Sequence, residues 1–124
     1  MKLAVVSNGG RDVQTRKIAA LGIARYLSHV VISEAVGLRK PDPRIFHLAL
    51  AALGVVAGRT WFVGDHPHFD VSGAEACGMT AVWLRGYHAW PRGQPPPTAR
   101  ITRISDLLEL LAACRCGQPS EFFI

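Results

Sequence analysis

Four short apolar runs, separated by segments of helical character, restrict the fold of this chain more than any other feature of its sequence. The runs cover residues 3–7, 30–33, 60–63 and 80–84, and a shorter fifth covers 100–104. Short continuous apolar runs are typical of strands in a parallel sheet covered by helices on both faces. Their alternation with helices implies right-handed crossover connections. We therefore predict an α/β fold with a doubly wound, mostly parallel, Rossmann-like sheet.

The chain length of 124 residues predicts one domain. We assign residues 1–113 to the folded core and residues 114–124 to a C-terminal tail, in which the apolar segment 122–124 could dock onto the core. The three cysteines, an odd count in a domain of this size, do not suggest a disulfide framework.

Charge and hydropathy argue against two classes of partner. The formal net charge is +5, but the arginines are scattered and no basic run interleaves with aromatic residues, so we expect no nucleic-acid binding. No apolar run approaches the length of a membrane span, so we expect no membrane association. The N-terminus lacks a signal-peptide pattern, so a cytoplasmic location is expected.

Polar residues follow three of the predicted strands. Ser7 and Asn8 end the first strand, Lys40 follows the second, and Asp65 and Asp70 follow the third. Ligands bind at the carboxyl ends of strands in open α/β sheets. A hydroxyl, backbone N–H groups, an ammonium and a carboxylate-bound divalent cation together can hold a phosphoryl group.

Local patterns also predict where helices begin. Asp42 is expected to cap a helix with Pro43 in its first position, and Gly54 is expected to end it. Asp12 and Asp70 are predicted to cap two other helices, the second beginning near residue 71. Residues 34–39 are predicted to form a loop.

Residues 5–9, 33–46 and 62–74 carry the motifs by which the chain resembles the haloacid dehalogenase-like hydrolases, and in particular the phosphoglycolate-phosphatase-like members. The resembling stretches read VVSNG, then SEAVGLRKPDPRIF, then FVGD followed by DV and GA. Three motifs stand in the order and spacing of the family, over most of positions 3–84. The Gly-Asp at the start of the acidic motif looks more like the phosphatases than the metal-independent dehalogenases.

The resemblance implies a role for each of the five polar residues. Ser7, Asn8 and Lys40 would bind the phosphate, with the Ser7 hydroxyl on a phosphoryl oxygen and Asn8 beside it. Lys40 would also neutralise charge on the nucleophile and the phosphate. Asp65 would bind Mg²⁺, the implied cofactor. Asp70 would be either a second metal ligand or a support for Lys40. The implied activity is hydrolysis of a small phosphorylated metabolite through an aspartyl-phosphate.

The family's nucleophile motif, Asp-x-Asp on a central strand, does not occur in this sequence. By the resemblance, the chain corresponds to an incomplete core without that strand and without the cap that selects substrates. We therefore expect it to be inactive alone. The missing strand should leave two strand edges that either pair with each other or are paired by another chain, which predicts a homodimer or a strand-swapped assembly.

The same residues also fit a second function, in which a derived core without catalysis binds phosphate and metal or serves in assembly. His66 and His68 in the acidic loop could suggest a transition-metal site, but Mg²⁺ needs no imidazole and we expect none. The aromatic and imidazole side chains of 83–90 are expected either to line a substrate entrance or to cover the edge of the sheet.

Overall fold

A six-stranded parallel sheet forms the centre of the molecule and confirms the predicted fold class. The computed structural model of the chain describes residues 2–113 and 121–124. The strands are β1 (Lys2–Ser7), β2 (His29–Ile32), β3 (Thr60–Gly64), β4 (Thr80–Leu84), β5 (Ala99–Ile101) and β6 (Glu121–Phe123). Their order across the sheet is β2-β1-β6-β3-β4-β5, and each neighbouring pair is parallel.

Five α-helices connect or flank the strands in the described part of the chain. They are α1 (Arg11–Ala20), α2 (Ser33–Val36), α3 (Pro43–Leu53), α4 (Gly73–Ala76) and α5 (Asp106–Ala113). Single turns of 3₁₀-helix lie at Ala24–Tyr26 and Ala57–Arg59, and a π-helical turn at Pro67–Ser72. None of these helices combines the length and apolar character needed to cross a bilayer.

Helix α3 begins and ends as its sequence predicts. The Asp42 carboxylate accepts a hydrogen bond from the backbone N–H of Arg44 at 2.9 Å, and Pro43 occupies the first turn. The helix ends at Gly54, whose φ of +65° is in the left-handed region that glycine adopts without strain.

The predictions for residues 11–39 were partly wrong. Asp12 lies inside α1 and does not cap it; the cap position is Gly10. The N–H of Arg11 instead donates to the Glu34 carboxylate at 2.6 Å. Glu34 belongs to α2, which replaces the first half of the loop predicted at 34–39. The long-range contact with Arg11 could not be seen in the local pattern.

The sheet packs apolar side chains on both faces, because successive strand residues point in opposite directions. Phe62 belongs to the larger cluster, where it meets Phe46 of α3 at 5.3 Å between ring centroids. Its neighbours Trp61 and Val63 belong to the second cluster, against which Leu107 of α5 packs. The carboxyl ends of the central strands remain uncovered by these two layers.

Strand β6 occupies the place where two unpaired strand edges were expected. Phe123 lies opposite Ala4 of β1 and Phe62 of β3 in the parallel register, and its side chain is fully buried. The N–H of Ile124 donates to the Ala4 carbonyl at 3.0 Å. The sheet is therefore continuous within one chain. Residues 122 and 123 of the predicted tail belong to β6 and Ile124 follows it, whereas residues 114–120 lie outside the described part.

A homodimer or strand-swapped assembly stays a prediction. The prediction was based on two strand edges left open, and β6 pairs with both of them in this structure.

Candidate functional site

The polar residues singled out in the sequence converge at the carboxyl edge of the sheet. Ser7, Lys40, Asp65 and Asp70 together line a cavity of about 330 Å³ and an adjoining one of about 410 Å³. Asn8 borders only the second cavity. Parallel strands bring their carboxyl ends to one edge, which is why residues up to 63 positions apart in the chain meet here.

Lys40 and Asp70 form a buried ion pair at the base of this site. The Lys40 ammonium nitrogen lies 2.5 Å from Asp70 Oδ1, and the two side chains are 10% and 6% exposed. The ammonium also lies 5.2 Å from the centroid of the Phe62 ring. Burial makes each charge depend on the other, because an unpaired buried charge is costly.

Asp70 does not cap a helix as predicted. A π-helical turn begins already at Pro67, so Asp70 lies within it, and the ring of His66 takes the cap position. His66 Nδ1 accepts hydrogen bonds from the N–H groups of His68 at 3.2 Å and Phe69 at 3.0 Å. The Asp70 carboxylate turns inward, where its second oxygen accepts the N–H of His66 at 3.0 Å.

Gly64 makes the inward position of Asp70 sterically accessible. A Cβ atom at residue 64 would lie 2.3 Å from Asp70 Cβ and 2.5 Å from Asp70 Oδ2. These distances are far below van der Waals contact. The position therefore needs a residue without a side chain, and glycine provides it.

Asn8 fixes the backbone of Lys40. Its side-chain oxygen accepts the Lys40 N–H at 2.7 Å, and its amide nitrogen donates to the Lys40 carbonyl at 2.9 Å. This reciprocal pair joins the loop after β1 to the loop before α3. The Asn8 side chain therefore positions Lys40, and the contact to phosphate predicted for Asn8 would come from its backbone.

Asp65 differs from Asp70 in its surroundings. Its side chain is 42% exposed, and His88 Nε2 lies 3.5 Å from its Oδ2 atom. Its backbone carbonyl accepts a hydrogen bond from the Trp83 indole at 3.0 Å, which fixes the main chain. The carboxylate thus borders the cavity on a fixed backbone and remains open to a ligand.

An outer rim of three rings and one cation surrounds the entrance. The His66 ring is stacked on Phe69 at 3.9 Å between centroids, and His88 lies 4.8 Å from His66. The guanidinium carbon of Arg39 lies 5.9 Å from the centroid of Phe69. Burial, and then the neighbouring His88, lower the pKa of His66.

Residues 83–90 divide between the cavities and the core, and a role at a substrate entrance stays a prediction. Tyr87 and His88 line the two cavities at the entrance. Trp83 is buried in the core and packs against Trp90 at 4.9 Å between ring centroids. The contact of His88 with Asp65 at 3.5 Å, and the contact of Arg39 with Phe69, had no signal in the local sequence.

The donor set at Asp65 fits a hard divalent cation. Mg²⁺ binds through one or two carboxylates, retains several waters and takes substrate phosphate oxygens as further ligands. Asp65 offers such a carboxylate at the cavity. Within the described ranges, no group of three or more His, Cys, Asp or Glu side chains is arranged to hold a metal by protein ligands alone.

Comparison with known proteins extends these observations. Residues 1–84 match the haloacid dehalogenase-like hydrolase family. The phosphoserine phosphatase of Thermus thermophilus is 41% identical over 91% of this chain and 44% of that protein. A mouse protein, haloacid dehalogenase-like hydrolase domain-containing protein 3, is 41% identical over 96% of this chain and 48% of its own length.

Solved structures show the same fold. The crystal structure of a HAD phosphatase from Thermococcus onnurineus superposes with a TM-score of 0.80 at 30% identity, covering 95% of this chain and 52% of that one. The chain thus spans about half the length of the proteins that it matches. With its parallel sheet, its polar edge and this match over residues 1–84, the chain belongs to the haloacid dehalogenase-like hydrolase family.

Proposed function

We propose that this chain is the phosphate- and metal-binding part of a Mg²⁺-dependent phosphatase that acts on a small phosphomonoester. The observation that carries the proposal is the convergence of Ser7, Lys40, Asp65 and Asp70 around one cavity. These residues supply a hydroxyl, an ammonium and carboxylates at a single edge. The relatives named as phosphatases, including a glyceraldehyde 3-phosphate phosphatase of Pyrococcus abyssi at 38% identity, support this choice.

Each residue contributes a distinct part. The Ser7 hydroxyl and nearby backbone N–H groups hold phosphoryl oxygens, and Lys40 offsets negative charge that gathers in the transition state. Asp65 holds Mg²⁺, which would polarise the phosphoryl oxygens when bound. Asp70 and Asn8 keep Lys40 in position, so of its two proposed roles we assign to Asp70 the support of Lys40.

The covalent step requires an aspartate that this sequence does not provide in an Asp-x-Asp motif. An aspartate carboxylate would attack phosphorus and the substrate oxygen would leave with a proton. Water would then release phosphate from the aspartyl-phosphate. We expect the 124-residue chain to bind phosphate without turning over substrate.

Binding and turnover are therefore measured separately. Calorimetric titration with inorganic phosphate should show binding that requires Mg²⁺ and is lost in Asp65→Asn and Lys40→Met. The matched surface variants Glu109→Gln and Lys17→Met should bind as the unaltered chain does. Failure of the folded chain to bind phosphate in the presence of Mg²⁺ would contradict the proposal.

Hydrolysis of an aryl phosphate by the same samples tests the catalytic expectation. Turnover that depends on Mg²⁺ and Asp65 would show that an acid within the chain acts as the nucleophile. Binding without turnover is also the result expected of the second candidate, a non-catalytic binding module, which the continuous sheet closed by β6 favours. Fusing a strand that carries the family's Asp-x-Asp motif to the chain would separate the two, because only an incomplete phosphatase should gain activity.

A further inference from the structure

The loop before α3 and the π-helical turn after β3 meet at the site in two layers. Two consecutive residues of the first contact two consecutive residues of the second. In the inner layer, Lys40 forms the buried ion pair with Asp70. In the outer layer, the preceding residue Arg39 lies over the ring of Phe69, the residue preceding Asp70. Both layers border the same cavity of about 410 Å³.

The two layers differ in charge. The inner ammonium is matched by a carboxylate at 2.5 Å. The exposed guanidinium of Arg39 has no carboxylate partner among residues 2–113 and 121–124. The remaining negative group at this cavity is Asp65, which the proposed function assigns to Mg²⁺. A positive charge thus stays uncompensated at the entrance.

The support under Arg39 is stiff. Phe69 is stacked on the His66 ring at an angle of 10°, and two backbone N–H groups fix that ring through its Nδ1 atom. A guanidinium over an aromatic face keeps its donors directed outward, where they match the two oxygens of a carboxylate or a phosphate. The arrangement is suited to recognition of an anion in a defined position.

We propose that Arg39 determines substrate specificity by binding an anionic group on the leaving group of the phosphomonoester. This inference rests on the proposed function, because it takes the phosphoryl group to lie at Ser7, Lys40 and Asp65. Arg39 lines the same cavity of about 410 Å³ as Ser7, Lys40 and Asp65, so one small molecule can reach both Arg39 and the phosphate position. The anionic group is a carboxylate or a second phosphate, and Arg39, a residue of the core domain, binds it.

The test compares ligands that differ in one group. Inorganic phosphate, glycerol 3-phosphate, 3-phosphoglycerate and propane-1,3-diol bisphosphate are titrated into the chain with Mg²⁺. Glycerol 3-phosphate and 3-phosphoglycerate share one three-carbon skeleton, but only the second has a leaving group that carries a carboxylate. We expect 3-phosphoglycerate to bind about fivefold more tightly than glycerol 3-phosphate, as for a partly exposed charge-assisted pair.

Arg39→Gln should abolish that difference and leave the affinity for inorganic phosphate within about twofold. Arg59→Gln is the matched control, because Arg59 is an exposed arginine at the amino end of β3, the edge opposite the cavity. It removes the same charge from the molecule, so an effect of net charge alone would appear in both variants. Thermal unfolding of both variants verifies that they are folded.

Each outcome separates the two proposals. The role of Arg39 would be overturned by equal losses of 3-phosphoglycerate affinity in Arg39→Gln and Arg59→Gln, or by equal affinities of the unaltered chain for ligands with and without an anionic leaving group. Binding of inorganic phosphate in the same samples would still uphold the proposed function. If Arg39→Gln lowered the affinity for the bisphosphate alone, the role of Arg39 would be supported and a second phosphate would be the group that it recognises. Absence of all phosphate binding would refute the proposed function and this inference together.

Discussion

Asp65 and Asp70 lie on the same loop, five positions apart, and have opposite surroundings. The Asp70 side chain is 6% exposed, and both of its oxygens are engaged, by the Lys40 ammonium and the His66 N–H. The Asp65 side chain is 42% exposed, and its near neighbour is the imidazole of His88. Two carboxylates of equal chemistry are therefore available to very different extents.

Backbone geometry causes this difference. Asp65 directly follows β3 and stays at the edge of the sheet, whereas the π-helical turn at Pro67–Ser72 returns the chain toward the core and directs Asp70 inward. There it meets Lys40 from the loop before α3. The half-exposed carboxylate can therefore accept a cation, while the buried one holds the cationic side chain in place.

The largest expected effect comes from breaking the buried pair. Lys40→Met should lower the free energy of unfolding by about 3–5 kcal/mol, because Asp70 is left buried without its counter-ion. Urea denaturation measures this loss. The double variant Lys40→Met/Asp70→Leu should recover part of the loss. A loss below about 1 kcal/mol in the single variant, the range of a surface pair, would show that the pair is not buried in solution.

Filling the space beside Asp70 should have the next largest effect. Gly64→Ala places a methyl group 2.3 Å from Asp70 Cβ, and relieving the overlap should cost about 1–3 kcal/mol of unfolding free energy. Gly58→Ala is the control, since its added Cβ would have nothing within 4 Å and should change stability by less than about 0.5 kcal/mol. Equal stability of the two variants would refute the close approach.

Asp65→Asn should affect binding and not folding. The side chain is half-exposed, so the free energy of unfolding should change by less than about 0.5 kcal/mol. Mg²⁺ affinity should fall at least about tenfold, the lower end of what loss of a supporting group alone produces. Calorimetric titration with Mg²⁺, beside Glu109→Gln, measures the second effect. Unaltered Mg²⁺ binding would remove Asp65 from the metal site.

The smallest effect concerns the pH dependence of stability. Burial lowers the pKa of His66 from its ordinary value of 6.5, so the neutral ring stabilises the fold above that pH. This contribution is lost as the pH falls through the lowered pKa of the folded state. Urea denaturation of the metal-free chain between pH 7.5 and pH 5 should show a smaller decline for His66→Gln. Parallel curves would indicate that His66 does not titrate differently on folding.

Much of the site could be predicted from the sequence because its residues follow strands. The apolar runs predict parallel strands, and parallel strands bring Ser7 and Asp65 to one edge. Local chemistry also predicted the start of α3, where Asp42 and Pro43 act within one turn. The roles proposed for the five residues in binding and catalysis stay predictions.

Long-range contacts account for what the sequence did not predict. The prediction that Asp12 caps α1 was wrong because Glu34, distant in the chain, accepts the N–H at the start of that helix. The prediction that Asp70 caps a helix was wrong because its carboxylate accepts hydrogen bonds from Lys40 and His66 instead.

The α/β class, the edge at which the polar residues gather and the family of the chain could all be predicted before the structure was known. Three features depend on the folded arrangement: β6 lies between β1 and β3, Asp70 is buried while Asp65 is open, and Arg39 lies over Phe69. The physical reason is range. Hydrophobic periodicity and capping act within a few residues, whereas strand pairing, ion pairing and ring contacts join residues that only the folded chain brings together.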